Sequence, residues 1–337
     1  MDAPEKGCFR NRKMKISVVI PVFNEEEVIP ILKERLEGIL HAQPFDYEVI
    51  IVDDGSKDNT ANRIKGWIAA NPKVILLELS RNFGHQPAIT SGLSEAMGDA
   101  VVVMDADLQD PPEIIPQMVE RWKNGNKIVL AERTARRENI LRRMLFQCFY
   151  KFFAFISDMP VSITSGVFGL MDRVVVDHFL SLRERNRFIP GLRGWLGFKT
   201  DTIWYTRQDR VKGEAKQSIK KLLRYGLDAI FSFSYKPLRV SFFFGLFIST
   251  LCFLYGFILI ILRLCNINLV QGFTTVAAAV FFIGGVILIS NGIIGEYLGR
   301  IYDEVKRRPL FIIARKVTRK AQDKEVSIQD YGPIKER

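Results

Sequence analysis

The chain has 337 residues, of which 48% are hydrophobic, and a formal net charge of +11 with a sequence pI near 9.5. This length accommodates one domain of about 200 residues together with membrane-spanning segments. A strongly basic chain binds either nucleic acid or an anionic bilayer. Here the basic residues flank two apolar runs, which favours the bilayer and excludes nucleic acid as the expected partner.

The N-terminal part of the chain alternates predicted strands and helices. A first strand starts at Lys15 and is expected to break at Pro21. Further strands are predicted at 47–52, 73–79, 100–104 and 127–131, and helices at 26–40, 59–70 and 86–96. This alternation is typical of successive βαβ units, in which the carboxyl ends of parallel strands meet at one edge of a sheet. We therefore predict an α/β fold.

Two of these strands end in carboxylates. Asp105 and Asp107 follow the strand at 100–104, and Asp53 and Asp54 follow the strand at 47–52. Two carboxylates two residues apart can share one hard divalent cation, which commonly bridges a nucleotide diphosphate. Each motif alone is also compatible with a solvated turn, and Ser56 could simply cap the next helix. Their convergence on one sheet edge favours a ligand site.

Five blocks of sequence occur in a characteristic order between residues 14 and 216. They are VIPVFNE (19–25), VDDGSKDNT (52–60), RNFGHQ (81–86), MDADLQDPP (104–112) and RVKGEAK (210–216). Together they resemble the inverting family 2 glycosyltransferases with the GT-A fold, specifically the bactoprenol-phosphate glucosyltransferase and dolichyl-phosphate mannose synthase type. The resemblance implies a Rossmann-like nucleotide-sugar-binding domain. It also implies transfer of a hexose, with UDP-glucose as the first choice of donor, to a polyprenyl phosphate such as undecaprenyl phosphate.

The resemblance also implies the roles of individual residues. Mg²⁺ or Mn²⁺ would be held by Asp105, Asp107 and Gln109, with diphosphate oxygens completing the shell. Catalysis would depend on Asp105, Asp107, Arg133 and Arg210, the two arginines contacting phosphate. The nucleotide sugar would lie against Pro21, Asn24, Glu25, Asp53, Asp54, Asp105, Arg136, Arg207 and Lys216, with Asp53 accepting from the uracil N3.

One segment departs from the family pattern. Many relatives carry acidic residues where this chain has Thr164 and Val167. Loss of a general base would impair attack by a sugar hydroxyl, which must give up a proton. A lipid phosphate is already an anion and needs no base, so the departure favours a phosphate acceptor or reduced activity.

Two apolar runs, 240–264 and 273–295, are long enough to cross a hydrocarbon core of about 30 Å. Their basic flanks predict cytoplasmic ends, with only 266–272 outside, and therefore a multi-pass protein of the inner (plasma) membrane with a cytoplasmic catalytic domain. The predicted order is an N-terminal tail (1–13), a catalytic domain (14–216), an amphipathic interface helix region (217–239), two transmembrane helices and a basic cytoplasmic tail (296–337). A second amphipathic segment, at 139–153, is expected either to lie in the membrane interface or to pack on the domain.

Three alternatives remain at this level. The protein could be a GDP-mannose-dependent synthase, because the contacts that select the sugar and nucleotide are not legible in the sequence. It could be a non-catalytic nucleotide-binding membrane scaffold. A processive polysaccharide synthase is disfavoured, because the segment 192–195 does not supply the acceptor motif Gln-x-x-Arg-Trp. Homo-oligomerisation is left open.

Overall fold

The protein is represented by a computed structural model that describes residues 13–133, 166–185, 187–205, 236–264 and 272–319. These residues form two units, each described by itself. One comprises the described residues up to 205 together with 309–319, and the other comprises 236–264 and 272–308.

The first unit is built on an eight-stranded mixed sheet. Its strands are β1 (Lys15–Val22), β2 (Asp46–Asp53), β3 (Val74–Leu79), β4 (Ala100–Val103), β5 (Ile128–Arg133), β6 (Gly169–Asp172), β7 (Thr200–Tyr205) and β8 (Ile313–Val317). Their spatial order is β7-β5-β6-β4-β1-β2-β3-β8. The pairs β1–β2, β1–β4, β2–β3 and β5–β7 are parallel, whereas β6 and β8 run antiparallel to their neighbours. The predicted βαβ units are therefore present in a sheet that is not purely parallel.

Amphipathic helices cover this sheet. They are α1 (Ile29–His41), α2 (Thr60–Ala70), α3 (His85–Glu95), α4 (Ile115–Lys123), α5 (Arg173–Ser181) and α6 (Ile189–Trp195). The helix α1 buries Ile29, Leu32, Leu36 and Leu40, a spacing that places one apolar stripe against the sheet. The helix α3 packs so closely on β1 that a Cβ on Gly92 would lie 2.3 Å from Val19 Cγ1. This close contact packs the C-terminal half of α3 directly against the middle of β1.

The prediction that Pro21 breaks the first strand is wrong. The strand β1 continues to Val22, and Pro21 lies opposite Val52 of β2. Val19 accepts a hydrogen bond from Met104 N on the β4 side, and Val22 accepts one from Asp54 N on the β2 side. The backbone N–H and C=O groups of successive strand residues point alternately to the two neighbouring strands. The backbone of Pro21 therefore points, like that of Val19, toward β4, which has already ended at this level. The missing N–H therefore leaves no ladder bond unmade.

The prediction of a tail from residue 296 onward is also wrong for its described part. Residues 313–317 form β8, which pairs with β3 at the edge of the sheet. Lys316 forms an ion pair with Glu95 of α3 at 2.5 Å, and Ser80 N donates to Ile312 O at 3.0 Å. The chain beyond the second apolar run thus contributes a strand to the first unit.

The second unit contains two long helices, α7 (Lys236–Leu264) and α8 (Phe273–Lys306). Both contain stretches long and apolar enough to span a membrane, Leu238–Tyr255 and Ala278–Lys306, with mean hydropathies of 1.8 and 2.1. Ser241 Oγ of α7 donates to Ser290 Oγ of α8 at 2.9 Å. The helix α8 continues to Lys306, beyond residue 295 where the predicted second span ends; the bounds of the span stay a prediction.

Candidate active site at the carboxyl ends of the central strands

A cavity of about 310 Å³ opens where β1, β2 and β4 end. It is lined by Pro21, Val22, Phe23, Glu25, Asp54, His85, Ala88, Asp105, Ala106 and Asp107. Parallel strands of an open sheet present ligand sites at this edge. The fold therefore brings together five of the predicted residues: Pro21, Glu25, Asp54, Asp105 and Asp107.

Asp105 contacts a histidine that the sequence analysis did not select. His85 Nε2 lies 2.8 Å from Asp105 Oδ1, and both side chains are partly exposed to the cavity. Although burial alone would lower the pKa of His85, the hydrogen bond and charge of Asp105 raise it above its ordinary value. A cationic imidazole is thereby favoured beside the carboxylates, at the first residue of α3.

The turn after β4 carries Asp107 and Gln109, and the residue between them has an unusual backbone conformation. Leu108, between them, is fully buried and has a φ of 57°. This left-handed conformation is rare for a bulky residue and typically costs about 1–3 kcal/mol. Asp107 Oδ1 accepts a hydrogen bond from Gln109 N at 3.1 Å. Such strain is often found at ligand sites, where the surrounding fold maintains it.

Gln109 supplies the clearest indication that this turn receives a ligand. The side chain is buried, and its Oε1 has no hydrogen-bond partner within the described residues. A buried carbonyl oxygen without a partner is unfavourable by about 1–3 kcal/mol. Amide and carboxylate oxygens are the ligands that Mg²⁺ and Mn²⁺ prefer.

The charge of the cavity fits a divalent cation as well. Four carboxylates line it, those of Glu25, Asp54, Asp105 and Asp107, and an anionic diphosphate would be repelled by them unless a cation lay between. No group of three or more His, Cys, Asp or Glu side chains within the described ranges could hold a metal ion by itself. Of the predicted metal ligands, Asp105 and Asp107 line the cavity and Gln109 does not. The two carboxylates therefore fit a cation that also takes oxygens from the substrate, while the contribution of Gln109 stays a prediction.

The loops after β1 and β2 are bonded to each other. Asn24, at a φ of 54°, donates its N–H to Ser56 Oγ and accepts from Lys57 N, both at 2.9 Å. Glu25 N donates to Thr60 Oγ1 at 2.9 Å. The Asn24 amide thus holds the two loops together, while its predicted contact with the nucleotide stays a prediction.

Asp53 is buried at the end of β2, where its Oδ1 accepts from Ser56 N at 2.9 Å. Burial raises the pKa of its carboxyl above the ordinary value. The cavity lining contains Asp54 but not Asp53. Recognition of uracil by Asp53 stays a prediction.

Asp54 anchors the loop that leads into α3. Its two carboxylate oxygens accept from Phe83 N at 2.7 Å and from Gly84 N at 2.9 Å. Gly84 has a φ of 101°, which an L side chain rarely adopts, and it directly precedes His85. Asp54 therefore positions His85 in addition to lining the cavity.

Arg133 is the last residue of β5, next to Tyr205 of β7. Its guanidinium donates to the Tyr205 hydroxyl at 3.1 Å and to Asp110 Oδ1 at 3.3 Å. Burial raises the pKa of Asp110, although the Tyr205 hydrogen bond and the Arg133 charge oppose this rise. The described structure thus ties the predicted phosphate-binding arginine to the residue after Gln109.

The segment that the sequence analysis predicts to depart from the family pattern lies beside the Asp105 strand end. Gly169, at the start of β6, pairs with Val103, two residues before Asp105. Arg193 of α6 is buried and donates to the carbonyls of Gly166 at 2.9 Å and Val167 at 3.4 Å. Burial lowers the pKa of this guanidinium to about 10, so it remains charged at neutral pH. A buried charge therefore fixes the backbone at Gly166 and Val167.

Several predicted site residues lie outside the described residues, and the predictions for them stay predictions. They are Arg136, Arg207, Arg210 and Lys216, together with Thr164 of the departing segment. Besides the aliphatic Val22, Ala88 and Ala106, sequence reasoning missed two cavity residues that carry a ring, Phe23 and His85. Both belong to blocks that carried the resemblance, and an aromatic or imidazole side chain directly after a predicted strand or before a helix could have indicated them.

Comparison with known proteins is consistent with this geometry. Residues 17–180 match the model of glycosyl transferase family 2, and residues 236–301 match that of the GtrB C-terminal hairpin. The SfII prophage-derived bactoprenol glucosyl transferase of Shigella flexneri is 43% identical over 303 residues, covering 90% of this chain and 98% of that protein. An uncharacterized glycosyltransferase of Bacillus subtilis (strain 168), YkcC, is 41% identical over 306 residues, covering 90% and 95%. The chain therefore belongs to glycosyl transferase family 2, in the group whose catalytic domain is followed by a GtrB C-terminal hairpin.

Proposed function

We propose that this protein transfers glucose from UDP-glucose to the phosphate of a membrane polyprenyl phosphate, with inversion at the sugar C1. The proposal rests chiefly on one observation. The chain shares 43% identity with a bactoprenol glucosyl transferase over 98% of that protein, and the family models match both the residues of the strand-end site and the apolar hairpin. Dependence on Mg²⁺ or Mn²⁺ is part of the proposal.

The reaction needs no protein base. An oxygen of the lipid phosphate attacks C1, the bond between C1 and the UDP β-phosphate oxygen breaks, and its electron pair leaves with UDP. The acceptor is already ionised near neutral pH, so no proton moves during attack. Val167, an apolar residue where the family resemblance leads one to expect an acid, is compatible with this chemistry.

Stabilisation of the leaving group is the principal demand on the site. Asp105, Asp107 and Gln109 would hold the cation, which when bound supplies positive charge to the departing diphosphate and is worth several kcal/mol. His85, whose Nε2 lies 2.8 Å from Asp105 Oδ1, lies at the same edge of the sheet. Asp54 maintains the loop that presents it.

The hairpin is proposed to place the protein in the inner membrane with the catalytic unit on the cytoplasmic side. Lys236 and Arg239 begin α7, and Arg300, Lys306, Arg307 and Arg308 lie near the end of α8. Basic residues are enriched on the cytoplasmic side of membrane spans. This orientation gives the site access to cytoplasmic nucleotide sugars.

A ligand screen tests the donor. We expect the melting temperature of the purified protein to rise most with Mn²⁺ plus UDP-glucose, less with UDP-galactose or UDP-N-acetylglucosamine, and least with GDP-mannose, because ligand binding to the folded state shifts unfolding. A largest rise with GDP-mannose would instead identify a mannose-transferring enzyme. A rise with UDP-glucose but no transfer to undecaprenyl phosphate would identify a non-catalytic scaffold.

A further inference from the structure

A buried side-chain network joins the turn after β4 to the ends of β5 and β7. The Tyr205 hydroxyl donates to Asp110 Oδ1, and Arg133 donates through Nε to the Tyr205 hydroxyl and through Nη2 to Asp110 Oδ1. Asp110 and Tyr205 are buried, with 2% and 7% of their surfaces exposed, whereas 41% of the Arg133 side chain is exposed. The network therefore has a fixed interior and one accessible edge, that of the guanidinium.

The network restricts the orientation of the guanidinium. A buried carboxylate is tolerated only with hydrogen-bonding partners, and Tyr205 and Arg133 supply them to Asp110. Guanidinium is a planar fork with five N–H donors, two of which this network uses. The Tyr205 ring also packs edge-on against Phe168, with centroids 6.0 Å apart, which further limits its movement.

The place of Arg133 in the sheet indicates which of the two phosphate groups, donor diphosphate or acceptor phosphate, it would bind. The cavity with the carboxylates opens at the ends of β1, β2 and β4, and Arg133 does not line it. Its strand β5 is separated from β4 by β6, two strand spacings or roughly 10 Å, and its guanidinium extends from the end of β5 to Asp110 in the turn after β4. In an inverting displacement, the nucleophile approaches C1 from the face opposite the leaving diphosphate. A phosphate-binding group that reaches this turn from the end of β5, outside the cavity lining, is therefore suited to the acceptor.

We propose that Tyr205 is a positioning residue for the acceptor. Its hydroxyl, together with Asp110, sets the orientation in which Arg133 presents its exposed edge to the phosphate of the polyprenyl lipid. This inference rests on the proposed function for the identity of the acceptor.

The test compares Tyr205→Phe, which removes only the hydroxyl, with Tyr47→Phe. Tyr47 is another buried tyrosine of the same sheet, and its hydroxyl accepts from Asn71 Nδ2 at 3.3 Å, outside the cavity lining. We expect Tyr205→Phe to raise the KM for undecaprenyl phosphate by about 3- to 10-fold, because a misaligned guanidinium loses part of a charge-assisted hydrogen bond. The KM for the nucleotide sugar should change by less than about twofold. Tyr47→Phe should change neither constant.

A double-mutant cycle separates positioning from a general structural effect. In an Arg133→Lys background, Tyr205→Phe should raise the acceptor KM by less than about twofold, since the group that it orients is gone. Equal increases in both KM values, or a full effect of Tyr205→Phe in the Arg133→Lys background, would overturn the proposal.

Binding of an acceptor analogue, measured without turnover, tests the role of Tyr205 separately from the glucosyltransferase activity. Farnesyl phosphate, a short prenyl phosphate, would be titrated into wild type and Tyr205→Phe by calorimetry. Weaker binding to the variant supports Tyr205 as a positioning residue even if wild type transfers no glucose. Equal binding to both proteins, or no binding to wild type, overturns it even if wild type is an active glucosyltransferase.

Discussion

The buried Oε1 of Gln109 leads to a prediction with opposite signs in the absence and presence of metal. In Gln109→Met the side chain keeps its length but loses the amide. Without metal, the wild-type protein buries a carbonyl oxygen that has no partner within the described residues. Removal of that oxygen should stabilise the metal-free protein by about 1 kcal/mol, the lower end of the penalty for an unsatisfied buried group.

The expected shifts follow from the size of the unit. For a domain of about 200 residues, 1 kcal/mol corresponds to about 2–4 °C in melting temperature. Gln109→Met should therefore melt about 2–4 °C above wild type in EDTA. If Oε1 binds the cation, its loss should weaken binding at least about tenfold, given that even outer partners of metal ligands contribute 10- to 100-fold. The stabilisation by Mn²⁺ plus UDP should then be about 3–6 °C smaller than in wild type, since tenfold is 1.4 kcal/mol.

The matched control is Gln86→Met. The Gln86 Oε1 accepts a hydrogen bond from Ile189 N at 3.1 Å, so the same substitution removes a satisfied oxygen near the same site. This variant should melt about 2–4 °C below wild type, with or without Mn²⁺ and UDP. Thermal unfolding monitored by intrinsic fluorescence measures all three proteins. A Gln109→Met variant that melts lower in EDTA, or that gains as much from Mn²⁺ and UDP as wild type, would refute the assignment of Oε1 as a ligand.

Two further predictions concern stability and topology. Burial raises the pKa of Asp172, but hydrogen bonds from Trp122 and Lys127 outweigh it and hold the pKa below its ordinary value. Asp172→Asn should therefore lower the free energy of unfolding by about 1–2 kcal/mol at neutral pH. The difference between wild type and variant in the urea midpoint should shrink as the pH falls through the folded-state pKa of Asp172. A constant difference down to that pH would contradict the ion-pair explanation. For topology, a cysteine in place of Asn268 should react with an impermeant maleimide added to spheroplasts, whereas one in place of Lys57 should not, in a background with the native cysteines replaced by serine. Reaction at Lys57 with protection at Asn268 would reverse the orientation.

The strand-end site could be predicted because its signals are local. A short apolar run followed by Asp105 and Asp107 indicates a buried strand that ends in two carboxylates, and alternating helices place several such ends on one edge. The observed β4, Ala100–Val103, agrees with the prediction to within one residue. Positions set by strand and helix periodicity are therefore the ones that sequence reasoning recovers.

Contacts between distant residues could not be predicted in the same way. The strand β8 is short and basic, and it is stabilised by Glu78 and Glu95, more than 200 residues earlier in the chain. His85 meets Asp105 across 20 residues, and no periodicity signals that contact. Pro21 suggested a break because proline has no N–H to donate to a neighbouring strand. The missing N–H weakens a strand only where the neighbouring strand offers an acceptor, and this depends on where β4 ends, which the sequence near Pro21 does not indicate.

Direct transfer of labelled sugar tests the central claim. Purified protein would be incubated with UDP-[¹⁴C]glucose, undecaprenyl phosphate and Mn²⁺, and the lipid fraction analysed for label and anomeric configuration. We predict that wild type forms a β-linked glucosyl polyprenyl phosphate, whereas Asp107→Ala forms none because the diphosphate loses its counter-charge. The melting temperature of Asp107→Ala in EDTA should fall by no more than about 4 °C, the cost of the lost hydrogen bond from Gln109 N. Absence of labelled lipid with wild type, or full turnover by Asp107→Ala, would contradict the account.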